Sequence, residues 1–186
     1  LQGDPKQQHM DVSKMYTDNG YLFFQVNPVE MTIDGDSVDV QMRIHEGKPA
    51  TFNNVIINGN TITSERVARR AVYTRPGYLY SQSDFERSIR ELGSIGHFDP
   101  ERFQSAEGYS VLPNINNNTV DIAYNVAEKP NSQLELSGGW GGNTFVGTLG
   151  VSFNNFSMRR AFEKGAWRPV PLGDGQTLAI RFQTNG

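Results

Sequence analysis

One short pattern is written twice in this chain. "VDVQMRIHEGKP" runs over residues 38–49, and "VDIAYNVAEKP" over 120–130. Val38 matches Val120, Asp39 matches Asp121, Val40 matches Ile122, Ile44 matches Val126 and Glu46 matches Glu128, always 82 residues apart. A period of that length is too long for a solenoid repeat and indicates duplicated whole domains. The alternation of Val38, Val40, Met42 and Ile44 with Asp39, Gln41, Arg43 and His45 is that of a half-buried antiparallel strand.

The copies close two related units. Between them lies "TFNNVIINGN" (51–60), a predicted strand ending in an Asn-Gly turn. "TSERVARRAVY" (63–73) follows as a helix with Thr63 as N-cap and Glu65 in its first turn. After "RPGYLY", "SQSDFERSIRELGSIGHF" (81–98) reads as a second helix. Ser81 and Asp84 have capping-box spacing, and Phe85, Ile89 and Leu92 lie on one predicted buried stripe, with Gly93 and Gly96 as stop signals. Two strands complete the unit, "RFQSAEGYSVLP" (102–113) and "TVDIAYNVAE" (119–128), joined by polar "NINNN". The order is strand–helix–helix–strand–strand.

The earlier unit shows only part of that order. "GDPKQQHMDVSKMYTDNGY" reads as a helix with Asp4 as N-cap, Pro5 at the first helical position and Gly20 as stop. "YLFFQVNPVEMTI" and "DSVDVQMRIHE" then form strands joined by a hairpin turn at "IDGD". A unit that opens on a helix is expected to be cut, with its first strand and helix missing.

Beyond residue 130 the character changes. Residues 1–48 carry four Lys/Arg against eight Asp/Glu, and residues 49–130 carry eight against nine. Residues 131–186 carry five against three and are rich in glycine, as in "SGGWGG". Strict alternation sets Leu134, Leu136 and Trp140 opposite Glu135 and Ser137. It sets Phe145, Leu149, Val151 and Phe153 opposite Thr144, Thr148 and Ser152, and Leu178, Ile180 and Phe182 opposite Thr177, Ala179, Arg181 and Gln183. This is the per-segment pattern of a transmembrane β-barrel, and a soluble sandwich edge gives a similar one.

Composition narrows the function classes. A net charge of −3 is too mild to argue for nucleic acid or an anionic membrane. With no cysteine there is no disulfide framework or thiolate metal site. His9, His45 and His97 fall on different elements without ligand spacing, so no metal is expected. "DGDSVD" (34–39) has Val38 where a calcium loop needs an oxygen ligand, and "GGWGG" lacks the Lys-Ser/Thr of a phosphate loop. No cofactor and no catalytic group is expected.

"GYLFFQVNP", "VDVQMRIHEGKP", "VIINGNTITSERVARRAV", "RPGYLYSQSDFERSIRELGSIGHFDPE" and "VDIAYNVAEKP", in that order and spacing, resemble tandem POTRA (polypeptide-transport-associated) domains of the outer-membrane β-barrel assembly family. The resemblance covers residues 1–130, and "LELSGGWGG" falls where the family's barrel begins. It implies an α+β fold: the C-terminal part of one POTRA domain (1–48), a complete βααββ POTRA domain (49–130), and the first antiparallel strands of a truncated transmembrane barrel (131–186). In the family, the first barrel hairpins are joined by a short Asn/Gly-rich turn. Here "SMRRAFEKGAWRPVPL" intervenes. The chain is expected to be a fragment, since three strands cannot close a membrane barrel.

The resemblance also implies the function. It points to periplasmic binding of unfolded outer-membrane proteins and accessory assembly lipoproteins, with anchorage in the outer membrane through the barrel. Clients are expected to add as strands to the sheet edge near 102–112, through Arg102, Phe103, Gln104, Ser105, Ala106, Tyr109, Ser110 and Val111. Trp140, Phe145 and Phe153 are expected at the membrane interface. The alternatives are the POTRA region of a two-partner-type secretion pore and a periplasmic structural interaction module. The basic cluster Arg159, Arg160, Lys164 and Arg168 reads either as a solvated turn or as a contact with lipid headgroups or the acidic first segment.

Overall fold

The structure, a computed structural model, describes residues 12–34, 37–130, 132–142 and 144–185. The expected caps Asp4 and Pro5, His9 and the tip of the "IDGD" turn lie outside the described residues. By packing the chain divides into two units. One comprises residues 1–56, 72–89 and 109–124, the other 57–71, 90–108 and 125–186.

In the first unit, helix α1 (Val12–Asp18) precedes strands β1 (Gln25–Asp34) and β2 (Ser37–His45), which pair antiparallel from Gln25↔His45 to Asp34↔Ser37. The half-buried face expected for β2 is not buried. Val40, Met42 and Ile44 remain 42–50% exposed, because this is a two-stranded sheet and no third layer covers it among the described residues. Tyr16 stacks on Phe24 at 4.1 Å and donates its hydroxyl to Glu46 at 2.9 Å. Asp18 ends α1, and its carboxylate accepts from the Ser83 amide (2.7 Å) and hydroxyl (2.6 Å). An anion is thereby set on the first turn of helix α3 (Gln82–Ser94), where unpaired amides favour it.

A three-stranded sheet follows, of β3 (Thr51–Asn58), β4 (Tyr109–Asn114) and β5 (Thr119–Asn125), in the order β3-β5-β4. The Thr51 amide bonds to the Asn118 carbonyl near the start of both β3 and β5, and the Val126 amide bonds to the Asn58 carbonyl near their ends. The two strands therefore run in the same direction. In β3, Phe52, Val55 and Ile57 are buried while Asn53 and Asn54 are both exposed. One residue too many between Phe52 and Val55 is the mark of a bulge. Asp121 pins it by accepting from Asn53 Nδ2 (2.8 Å) and the Asn54 amide (2.9 Å). The Asn-Gly turn after β3 needs its glycine: Gly59 has φ +94°, and a Cβ there would stand 2.0 Å from the Val126 carbonyl oxygen.

Helix α2 (Glu65–Arg70) is shorter than expected, and its N-cap is Ser64, not Thr63. Thr63 is 2% exposed, its hydroxyl used elsewhere. In α3 the Ser81 hydroxyl does accept from the Asp84 amide. The buried stripe runs through Phe85, Ser88 and Leu92, while Ile89 is only partly buried. Ser88 is fully buried because its hydroxyl accepts from the Tyr73 amide (2.8 Å) and donates to the Asp84 carbonyl (2.7 Å). Phe85 lies edge-on to Tyr109 and stacks on Tyr124, whose hydroxyl shares a hydrogen bond with Thr74.

The expected strand 102–113 is two structures. Residues Pro100–Gln104 form a 3-10 turn capped by Asp99, which accepts from the Glu101 amide. Phe103 anchors it, 7% exposed, and Arg102 pairs with Glu107 at 2.7 Å. Proline at the turn start and side-chain bonds to nearby backbone outcompete the extended form. Only Tyr109–Asn114 is strand.

In the second unit, β6 (Ser132–Gly141), β7 (Thr144–Phe156) and β8 (Gln176–Asn185) form an antiparallel meander, β6-β7-β8. Their lengths of 10, 13 and 10 residues reach the roughly 9–11 that a tilted membrane strand needs. Register aligns the apolar positions across all three. Leu134 pairs with Val151 and Val151 with Ile180; Leu136 pairs with Leu149 and Leu149 with Phe182. Leu134, Leu136 and Phe182 are 68–80% exposed. On the other face Glu135 and Arg181 form an ion pair of 2.8 Å across Gly150.

Leu92 is fully buried and Ile89 is not. Leu92→Ala is expected to cost about 3 kcal/mol in urea unfolding and Ile89→Ala about 1 kcal/mol or less. Equal losses would contradict the observed stripe.

Candidate functional site

Two sites arise from these elements. The first is the β4 edge. β4 pairs with β5 from Tyr109↔Tyr124 to Asn114↔Thr119. The Asn125 amide bonds to the Gly108 carbonyl, directly opposite, so Ser110, Leu112 and Asn114 occupy the hydrogen-bonded positions of this ladder. The backbone groups of Tyr109, Val111 and Pro113 therefore point away from β5. Tyr109 and Val111 each offer an N–H and a C=O outward. Pro113 offers a carbonyl alone and closes the edge. Of the expected edge residues, Tyr109, Ser110 and Val111 lie on β4. Arg102, Phe103 and Gln104 lie in the 3-10 turn, and Ser105 and Ala106 in the connection. Phe103 is committed to the core and Arg102 to Glu107. Leu112 and Ile115 stand beside the edge, 63% and 71% exposed.

The second site is a junction in the second unit, and it is built on Glu128. This carboxylate lies three residues past β5. It accepts from the Thr61 amide (3.1 Å), the Thr61 hydroxyl (2.7 Å), the Ile62 amide (2.8 Å) and the Thr63 amide. Burial alone raises its pKa, but these four donors outweigh burial and hold it below the ordinary value of 4.5. The loop so fixed turns the Thr63 hydroxyl to accept from Asn155 Nδ2 at 2.9 Å, with both residues buried. Asn155 in turn accepts from the Gly175 amide (side chain, 2.9 Å) and the Gly173 amide (backbone, 2.7 Å). The Ser64 amide donates to the Gly173 carbonyl at 2.7 Å. Helix α2 thus starts against the turn that begins β8.

Two arginines of the expected basic cluster complete the junction. Arg160 Nη1 donates to the Ile62 and Leu172 carbonyls, and Arg159 pairs with Asp174 at 3.0 Å. Asp174 also accepts from Ser157 Oγ (2.7 Å), the main reason its carboxyl is held below the usual range. His97 is 8% exposed, and burial lowers its pKa against the opposing pull of Glu128. A cavity of about 280 Å³ opens between Ile62, His97, Glu128, Asn155 and Leu172. Composition and spacing do not reveal this junction. One signal was present: Glu128 is one of the residues written twice. In the first copy, Glu46 receives the Tyr16 hydroxyl instead.

The residues expected at a membrane interface fall on one sheet face, but not together. Trp140 and Phe145 pair at the β6–β7 tip, ring centroids 5.2 Å apart, with Trp140 81% exposed. The Phe145 ring lies over Gly138 and Gly147; a Cβ at Gly147 would stand 3.0 Å from it. Phe153 lies at the other end, paired with Leu178.

Because the folded-state pKa of Glu128 lies below its unfolded value, its stabilisation is complete above about pH 4.5 and is lost as pH falls through the lowered value. Hydrogen-exchange protection of the 61–63 amides should decline over that range. Glu128→Ala should remove about 1.5 kcal/mol of that protection at pH 7, a modest figure because the carboxylate is partly solvated. Unchanged protection in the variant would contradict this role.

Comparisons with known proteins agree with this geometry. Residues 50–129 match the POTRA family model, "Surface antigen variable number repeat". The chain is 26% identical over 154 residues, 82% of its length, to outer membrane protein assembly factor BamA of Neorickettsia risticii. It is 27% identical over 138 residues, 73% of its length, to the BamA of Neisseria meningitidis serogroup B. It spans about one fifth of the length of these curated relatives. The crystal structure of BamA from Haemophilus ducreyi lacking POTRA domains 1–3 covers 100% of this chain, with TM-score 0.69 and 18% identity; the chain covers 32% of that structure. At that identity the likeness is one of fold. Residues 50–129 therefore match the POTRA family model, and the chain as a whole resembles BamA-type outer-membrane β-barrel assembly proteins in sequence and in fold.

Proposed function

We propose that this chain is the membrane-proximal periplasmic region of an outer-membrane protein assembly factor, and that it acts by binding rather than by catalysis. Residues 1–48 are the end of one POTRA domain, 49–130 a complete one and 131–186 the first strands of the barrel. The apolar face of β6–β8 meets outer-membrane lipid, with Trp140, Phe145 and Phe153 near its borders. The POTRA domains lie in the periplasm, where they receive unfolded outer-membrane proteins and accessory assembly lipoproteins.

The observation that carries the client-binding part is the β4 edge. Tyr109 and Val111 turn four backbone groups outward that have no partner among the described residues, and Pro113 ends the row. An extended segment adds to such an edge through main-chain bonds, which need no particular side chains. That suits a receiver of many different strands. The usable edge is short, about Tyr109–Val111, so each encounter is weak and reversible. The basic and acidic side chains at Arg102 and Glu107 flank the edge and do not form it.

Titration with a strand peptide from an unfolded outer-membrane protein should shift the amides of Tyr109 and Val111 most. Val111→Pro removes an outward N–H without touching the β5 ladder, and should weaken binding at least about tenfold. Uniform small shifts, or equal binding by Val111→Pro, would contradict strand addition here.

A further inference from the structure

The segment joining β7 to β8, residues 157–175, holds more than the junction uses. Arg159 and Arg160 are already paired, Arg159 with Asp174 and Arg160 with Glu163 and the Ile62 and Leu172 carbonyls. Lys164 and Arg168 are exposed and have no ion pair among the described residues. Three large apolar side chains stand out beside them: Met158 is 66% exposed, Phe162 98% and Trp167 58%. The Trp167 indole N–H donates to the Ala161 carbonyl at 3.0 Å, so its polar atom is satisfied and its ring surface is left to the outside. Single exposed apolar residues are ordinary. Three in one short segment, interleaved with two uncommitted cations, form a patch that asks for an occupant.

The position of the segment says what covers it. Phe153↔Leu178 is the last apolar pair of the β7–β8 ladder, and Phe156↔Gln176 ends it. The segment starts at the next residue. At the other end of the same apolar band stand Trp140 and Phe145. Aromatic residues at both ends of a lipid-facing band are how barrel strands meet the two water boundaries. Cations beside them complement phosphate-bearing headgroups. We propose that residues 158–168 seat on anionic lipid headgroups at that end of the band. Phe162 and Trp167 enter the boundary, and Lys164 and Arg168 take the phosphates. The proposal rests on the barrel reading of β6–β8, and the test separates the two.

The chain has two tryptophans. Trp140→Phe leaves Trp167 as the only reporter, and Trp167→Phe leaves Trp140. Each variant is mixed with vesicles of phosphatidylethanolamine and phosphatidylglycerol containing lipid brominated near the top of the acyl chain. Both tryptophans should shift to the blue and be quenched. Adding Lys164→Ala or Arg168→Ala to Trp140→Phe should weaken the Trp167 response about fivefold for each charge removed. Pure phosphatidylcholine should weaken it further. Quenching of Trp140 with Trp167 still in water would overturn the headgroup contact, leave the barrel reading standing and direct attention to a protein partner. A Trp167 response indifferent to both cations and to phosphatidylglycerol would also overturn it. Silence from both tryptophans would end the barrel reading and the proposal with it.

Discussion

A single carboxylate organises the place in the second unit where the loop after β3 meets the strands β7 and β8. Glu128 gathers four donors from Thr61, Ile62 and Thr63. Three of them are backbone amides with no secondary-structure ladder to satisfy them. The Thr61 amide also bonds to the Gly59 carbonyl, but the Ile62 and Thr63 amides, set in partly or fully buried residues, are costly to leave unpaired, so the charged carboxylate holds the loop in one conformation. That conformation aims the Thr63 hydroxyl at Asn155 and the Ser64 amide at Gly173. The 61–64 loop and the turn before β8 thus share one hydrogen-bond network, reinforced by Arg160.

The strand-rich end shows why such a network is useful. β6, β7 and β8 expose an apolar face that water does not favour and a polar face carrying the Glu135–Arg181 pair. Three strands do not supply their own core. Their fixed point in the second unit is the end where Asn155, Asp174 and Ser157 lock the β7–β8 connection. The far tip at Trp140 and Phe145 has no comparable set of bonds among the described residues.

Much of the fold was legible in the sequence. Period-two alternation gave β2, β5 and all three tail strands, and the Asn-Gly and Ser81–Asp84 signals gave a turn and a helix start. Where the reading failed, a local side-chain bond had overridden a pattern. Asp99 and Pro100 converted the first part of an expected strand into a 3-10 turn. Ser88 took the buried position assigned to Ile89 because its hydroxyl serves the Tyr73 amide. The bulge at Asn53–Asn54 depends on Asp121, which lies 68 residues away. The junction was illegible for the same reason. Thr63, Asn155 and Asp174 are ordinary polar residues until the fold brings them together, and only the repeated glutamate hinted that position 128 mattered. The edge at Tyr109 and Val111 was half legible: the strand could be placed, but its outward parity follows only from the observed register.

The most direct test of this account is a double-mutant cycle between Glu128 and Asn155. Among the described residues the two side chains share no bond; they are linked through the 61–64 loop, by the Thr63 hydroxyl and by the Ser64–Gly173–Asn155 backbone bonds. With Glu128→Gln, Asn155→Ala and the double variant, the opening free energies of the Ser64 and Gly173 amides are read by hydrogen exchange at pH 7. The account predicts a coupling of about 1 kcal/mol, because loss of either residue frees the loop that the other depends on. Additivity within about 0.3 kcal/mol would mean that Glu128 and Asn155 act independently, and would contradict a single network joining the 61–64 loop to the β7–β8 connection.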